Sequence, residues 1–203
     1  MLHLDISALK CAWICPCGLP EKSWLKLMGF LKEKTDLEGY GQDMKDIKFI
    51  ADIMVGRLAR YLRMAGMDVS YNNHYDDARI IETAKAESRI VLTRDALMLE
   101  RRDCKNNTVK YLFIKSSKLC EQLKQVKNEL GLKLEPNLIR CIECNAYLEN
   151  VAKSTLEDKV PPYVYRTQKF FMYCTVCKKY YWRGTHYSNI QKYFDKIRKE
   201  QNL

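Results

Sequence analysis

Two cysteine pairs of identical spacing, Cys141-Ile-Glu-Cys144 and Cys174-Thr-Val-Cys177, constrain this chain more than any other feature. Two residues between paired thiols let both sulfurs turn inward on one tight knuckle. Two knuckles supply the four soft ligands of a tetrahedral Zn²⁺ site. The long gap between the pairs suits a ribbon whose knuckles lie at the tips of two hairpins. The plain alternative is four unrelated reduced thiols. Disulfides are disfavoured, because nothing else reads as secreted and the total of nine cysteines is odd. A closed four-thiolate site is structural and leaves no open position for chemistry, so catalysis must come from other residues.

A formal net charge of +10 over 203 residues points to a polyanionic partner, most commonly nucleic acid. The excess gathers late in the chain, at Lys178, Lys179, Arg183, Lys192, Lys196, Arg198 and Lys199. Tyr180, Tyr181, Trp182, Tyr187 and Tyr193 interleave with these cations. Cations neutralise phosphates and flat rings stack on unpaired bases, so Lys178, Lys179, Trp182 and Arg183 are candidate nucleic-acid contacts. The same rings would equally serve as the ribbon's small core. No run reaches the roughly 18 consecutive apolar residues of a membrane span. The start lacks the basic flank and apolar run of a signal peptide, so a cytoplasmic protein with no membrane partner is expected.

Residues 1–44 differ from the rest of the chain. Cys15-Pro-Cys17 is too tight for a usual zinc knuckle, and Gly39 and Gly41 break a short amphipathic pattern. This segment is expected to be a poorly ordered extension, or to precede a true start at Met44. From residue 45 to 132, short apolar runs alternate with helical patterns. Strands are expected at 47–53, 68–71, 89–93 and 109–114. Helices are expected at 57–64, from Asp76-Asp77 onward, at 96–102 and at 117–130, with Gly66 and Gly131 as stops. Such alternation predicts an α/β fold, a parallel sheet covered by helices on both faces. Residues 133–138 read as a linker. Residues 139–203 read as the zinc ribbon followed by a basic C-terminal helix.

In an open parallel sheet, functional groups gather beyond the carboxyl ends of the strands. Asp52 sits near the end of the first strand, Asp76 and Asp77 follow the second, and Asp95 follows the third in Leu92-Thr-Arg-Asp95. Clustered carboxylates repel one another, so such a cluster points to bound Mg²⁺ or Mn²⁺. Asp76 and Asp95 also suit helix N-caps, and Asp77 suits a first helical turn. Asp52 interrupts an apolar run and needs a partner or a metal. Arg57, Arg60 and Arg63 recur at three-residue intervals on the first helix, and Arg94 lies beside the acidic edge. Arg57 and Arg94 are the candidate phosphate contacts. For Arg60 and Arg63, a solvated basic face is an equal alternative.

The run from Phe49 to Asp68, with Ala51-Asp-Ile-Met-Val-Gly-Arg-Leu-Ala-Arg-Tyr-Leu-Arg at its centre, resembles the opening of the Mut-seven C-terminal RNase family. Asp76-Asp77, Arg89-Ile-Val-Leu-Thr-Arg-Asp95, Val160-Pro-Pro-Tyr-Val-Tyr-Arg-Thr167, both cysteine pairs and Tyr181-Trp-Arg-Gly-Thr-His186 resemble its later motifs. The resemblance covers about 47–190. It implies a PIN-like, Rossmann-type domain with an appended zinc ribbon and a metal-dependent ribonuclease activity. Asp52 then matches the first acidic position and Asp95 the aspartate of the Thr-x-Asp motif. Asp77, rather than Asp76, fills the second position. Glu82, Glu100 and Asp103 are candidates for a further acid, and none matches cleanly.

The expected reaction is hydrolysis of RNA. Asp52, Asp77 and Asp95 would hold one or two Mg²⁺ or Mn²⁺ ions, whose water attacks phosphorus, while Arg57 and Arg94 orient the phosphate. This reading expects the three carboxylates to converge within metal-sharing distance. The main alternative is a non-catalytic zinc-ribbon protein that binds RNA or the ribosome. A protein-docking adaptor is a third.

Overall fold

A computed structural model describes residues 47–199. The expectations for residues 1–44 lie outside the described residues. The first lobe is a four-stranded sheet, β1 (Lys48–Ala51), β2 (Asp68–Ser70), β3 (Ile90–Thr93) and β4 (Tyr111–Phe113), in the order β2-β1-β3-β4. All three pairings are parallel. Phe49, Ile50 and Ala51 are all fully buried. A strand covered on both faces reads as an unbroken apolar run rather than an alternating one.

The two faces are covered by different helices. Phe49, Ala51 and Leu92 pack with α1 (Gly56–Met64) and α5 (Leu119–Glu129). Ile50 and Val91 pack with α2 (Asp77–Glu87), α3 (Ala96–Leu99) and α4 (Arg102–Lys105). Leu58, Ala59 and Leu62 give α1 its buried stripe. Gly66 ends the turn after it at φ +81, a left-handed conformation glycine adopts freely. Asp76 caps α2 by accepting from the Arg79 amide at 2.8 Å. The single helix expected at 96–102 is instead two short ones, because Arg101 is extended (φ −62, ψ 142) and interrupts the turn.

The expected linker is packed rather than free. Leu132 and Leu134 are buried in the α1–α5 core, and the Asn137 amide donates to the Met64 carbonyl at 2.8 Å. Beyond it, β5 (Glu149–Val151), β6 (Phe171–Tyr173) and β7 (Tyr180–Trp182) form an antiparallel sheet in chain order. A short helix, α6 (Pro162–Thr167), interrupts the connection from β5 to β6, with proline at its first position. The last element is α7 (Thr185–Lys199). Its Ile190, Phe194 and Ile197 are buried in the core formed by α1 and α5, and Tyr193 meets the Tyr61 ring edge-on at 5.4 Å. The helix that follows the ribbon in sequence thus packs on the first lobe. No helix among the described residues is long and apolar enough to cross a membrane.

Candidate functional site

The chain leaves β1 for β2 on one side and later returns to β3 on the other. The carboxyl ends of β1 and β3 therefore flank the point where winding reverses, the usual place for a crevice in such sheets. Asp52 sits there, only 5% exposed. Its amide donates to the Leu92 carbonyl at 3.0 Å, which fixes its backbone against β3. Its Oδ2 accepts from the Thr93 hydroxyl at 2.9 Å. That same hydroxyl oxygen accepts from the Asp95 amide at 2.9 Å. Thr93 thus links Asp52 and Asp95 in one hydrogen-bonded chain. Asp95 Oδ1 in turn accepts from the Leu97 amide at 2.8 Å and caps α3.

Asp76 serves α2 as its cap. Asp77 is half-buried and pairs with Arg101 at 3.1 Å. Asp52, Asp77 and Asp95 do not converge as expected. Among the described residues, the four cysteines are the only group of three or more Cys, His, Asp or Glu placed to hold a metal ion, their sulfurs all within 4.8 Å of one another. Each carboxylate is instead engaged locally, through one oxygen. Thr93 and Arg101 were not singled out from sequence. Thr93 stood in the Leu92-Thr-Arg-Asp95 motif, but its role depends on a register across two strands.

The three arginines of α1 have separate roles. Arg57 and Arg60 are exposed and line a cleft of about 680 Å³ between α1, the loop after β2 and the first knuckle. Asp52, Asp77 and Asp95 lie outside that lining. Arg60 pairs with Glu143 at 3.0 Å. Arg63 is 2% exposed and is no part of a solvated face. Its Nε donates to the Val69 carbonyl at 2.9 Å, and its Nη1 donates to Ile142 and Glu143 carbonyls at 2.9 and 2.7 Å. Burial lowers its pKa, against the raising effect of Cys144, Cys141 and Glu143. Arg94 is half-buried, and its Nε is buried without a hydrogen-bond partner.

The knuckles repeat one geometry. The Asn145 amide donates to the Cys141 carbonyl at 2.9 Å, and the Lys178 amide to the Cys174 carbonyl at 2.8 Å. Asn145 and Lys178 both take left-handed backbone, φ 71 and φ 56. The Cys177 amide donates to Cys174 Sγ at 3.3 Å. Four sulfurs this close, with backbone amides aimed at them, fit a closed Zn²⁺ site. Burial raises the Cys141 thiol, but the Tyr181 hydroxyl at 3.1 Å and the Cys144 and Glu143 amides outweigh it and bring it down to about 7. Cys177 is pushed up to about 12, first by its hydrogen bond with Cys144 and then by burial. Donors favour the Cys141 thiolate, whereas Cys177 has neighbouring thiols and burial against it, and a bound cation would relieve the repulsion among the sulfurs.

Of the candidate nucleic-acid contacts, Lys178, Lys179 and Arg183 are exposed. Lys179 Nζ lies 4.0 Å from Glu143, and Arg183 lies over the Tyr187 ring at 5.7 Å. Trp182 is half-buried beside Phe171, 6.4 Å between ring centroids, and so packs the ribbon core.

A family model described as the Mut7-C RNAse domain matches residues 47–194. The chain belongs to the Mut7-C RNAse domain family. The match takes in the parallel sheet, both knuckles and most of α7. No curated protein and no solved structure matches the chain.

In this Mut7-C domain the ribbon is fastened along β2, the edge strand of the sheet. The Val69 amide donates to Asn145 Oδ1 at 3.1 Å, while Arg63 takes the Val69 carbonyl. Side chains thereby satisfy an edge that would otherwise invite pairing with another chain. At the start of β2, Asp68 accepts from Arg89 at 2.6 Å, from Asn145 at 2.8 Å and from Arg140 at 3.3 Å. Burial raises the Asp68 carboxyl, but these bonds and the two guanidinium charges outweigh it and hold it below the usual range.

Proposed function

We propose that this chain hydrolyses RNA phosphodiester bonds at the carboxyl edge of its parallel sheet, as a PIN-like ribonuclease. Membership of an RNase-domain family supports the reaction class. The observation that carries the site is the chain from the Asp95 amide through Thr93 to Asp52 at the winding reversal. Asp52 is held rigidly there, nearly buried, with its carboxylate steered by a single hydroxyl. Arg94, which follows Thr93 directly, and Arg57 would orient the phosphate.

Asp52, Asp95 and Asp77 would hold Mg²⁺ or Mn²⁺, hard cations that prefer oxygen ligands. The donor chemistry fits such an ion, although the three groups are not gathered. Gathering them would release the Asp95 cap, which is worth about 1 kcal/mol. It would also open the partly exposed Asp77–Arg101 pair, worth about 1 kcal/mol or less. A bound cation would activate water and stabilise the departing oxygen. The four cysteines would hold Zn²⁺ as a structural ion.

The ungathered carboxylates also favour a second reading, a zinc-ribbon RNA-binding protein without catalysis. A labelled RNA incubated with Mn²⁺ separates the two. Asp52→Asn and Asp95→Asn are expected to cut at least about a hundredfold more slowly than the unaltered chain, with binding retained. Equal cutting by all three would remove the site assignment. Binding without cutting in all three would establish the second reading.

A further inference from the structure

The cleft between α1, the loop after β2 and the first knuckle begins at the residues that follow Asp52 in the chain. Ile53 and Met54, the two residues directly after Asp52, form part of its wall and are 55% and 52% exposed. Asp52 is extended and the next three residues make a tight turn, so these side chains face outward instead of joining the core. Tyr71 lines the cleft as well, packed so closely over Gly56 that any Cβ there would collide with its ring. A half-exposed apolar wall beside arginines suits a flat, partly apolar and negatively charged ligand.

The two exposed arginines differ in one respect. Among the described residues, Arg57 forms no ion pair. Arg60 is already engaged with Glu143, and their side chains are 53% and 39% exposed. Glu143 lies between the first pair of cysteines, and its backbone carbonyl is held by the buried Arg63. Its carboxylate is therefore presented to the cleft from a rigid support.

We propose that this cleft is a subsite for one unpaired nucleotide of the RNA strand, in which Glu143 competes with an RNA phosphate for Arg60. Ile53 and Met54 meet the face of the base, and Arg57 receives a phosphate on entry. Arg60 then exchanges an exposed carboxylate for a phosphate oxygen. The exchange costs little, because an exposed ion pair contributes little, and it yields a charge-assisted contact. Glu143 thus weakens the grip on any anion that lacks a base for the apolar wall. The inference rests on reading the chain as acting on RNA, but not on its cutting RNA.

The test is equilibrium binding of a short labelled single-stranded RNA to the full, zinc-loaded chain carrying Asp52→Asn, over a range of salt. Arg57→Ala is expected to weaken binding about tenfold and to lower the salt slope by about 0.7. Glu143→Gln keeps the backbone carbonyl that Arg63 holds. It is expected to tighten binding about two- to fivefold and to steepen the slope by about 0.7. Met54→Ser is expected to weaken binding about threefold with the slope unchanged, as for loss of a base contact. A gain of affinity cannot arise from misfolding, so Glu143→Gln is the decisive variant. Unchanged or weaker binding by Glu143→Gln would overturn the proposal. If this order of affinities holds while the unaltered chain cuts nothing, the subsite stands and the ribonuclease reading falls. If the chain cuts RNA but these three changes leave affinity unaltered, the subsite falls and the ribonuclease reading stands.

Discussion

Arg63 shows what a single residue does once its surroundings are known. Spacing grouped it with Arg57 and Arg60, yet its guanidinium serves carbonyls of β2 and of the first knuckle. Arg63→Ala leaves those acceptors buried and unpaired, at about 1–3 kcal/mol each where water cannot reach. A loss of about 3 kcal/mol or more in denaturant unfolding is expected, with Arg60→Ala changing stability by about 0.5 kcal/mol or less. Equal effects of the two substitutions would contradict the distinct roles. A helical repeat of three places side chains near one another but does not say which one meets another lobe. Asp52 was legible for the opposite reason. A lone carboxylate in an apolar run needs a partner wherever the strand lies. Its partner, Thr93, emerged only from the pairing of β1 with β3.

At the scale of elements, the strands and helices between residues 47 and 130 lie nearly where local periodicity places them. The exceptions have local causes too. Extended backbone at Arg101 divides the helix expected at 96–102, and α6 is too short to show a period. The fastening of the ribbon to β2 was not legible, because Asp68 is 72 and 77 residues from Arg140 and Asn145 in the chain. This seam carries a pH dependence of definite sign. The Asp68 carboxyl is held below its usual range, so it binds fewer protons folded than unfolded. Its stabilisation is fully present above the ordinary aspartate pKa of about 3.9 and is lost as pH falls through the lower, folded value. Asp68→Asn should therefore flatten the fall in melting temperature below about pH 4. An undiminished fall in the variant would assign that acid sensitivity to other groups.

For the whole molecule, the decisive feature is the return of α7 to the first lobe. Ile190, Phe194 and Ile197 are at most 7% exposed, against α1 and α5. Burying such side chains contributes about 1.5–3 kcal/mol each. A chain ending at Gly184 should therefore lose roughly 5 kcal/mol or more, a large part of a domain's usual stability. Denaturant unfolding of that truncation, with zinc present, measures the loss. A shift under about 1 kcal/mol would mean that the helix is dispensable to the fold. Lys192, Lys196, Arg198 and Lys199 thus belong to an element whose apolar side completes the core. Arg198 is paired with Glu135 and Asp195.

Period, spacing and residue chemistry were sufficient for the parallel α/β sheet, the paired knuckles and the exceptional position of Asp52. These are properties of short segments, and short segments repeat the same physics in any chain. Which acids share a hydrogen-bonded chain, which arginine is buried and where the last helix packs were settled by contacts between distant segments. Such contacts depend on strand order and register. Neither leaves a local trace in the amino-acid sequence.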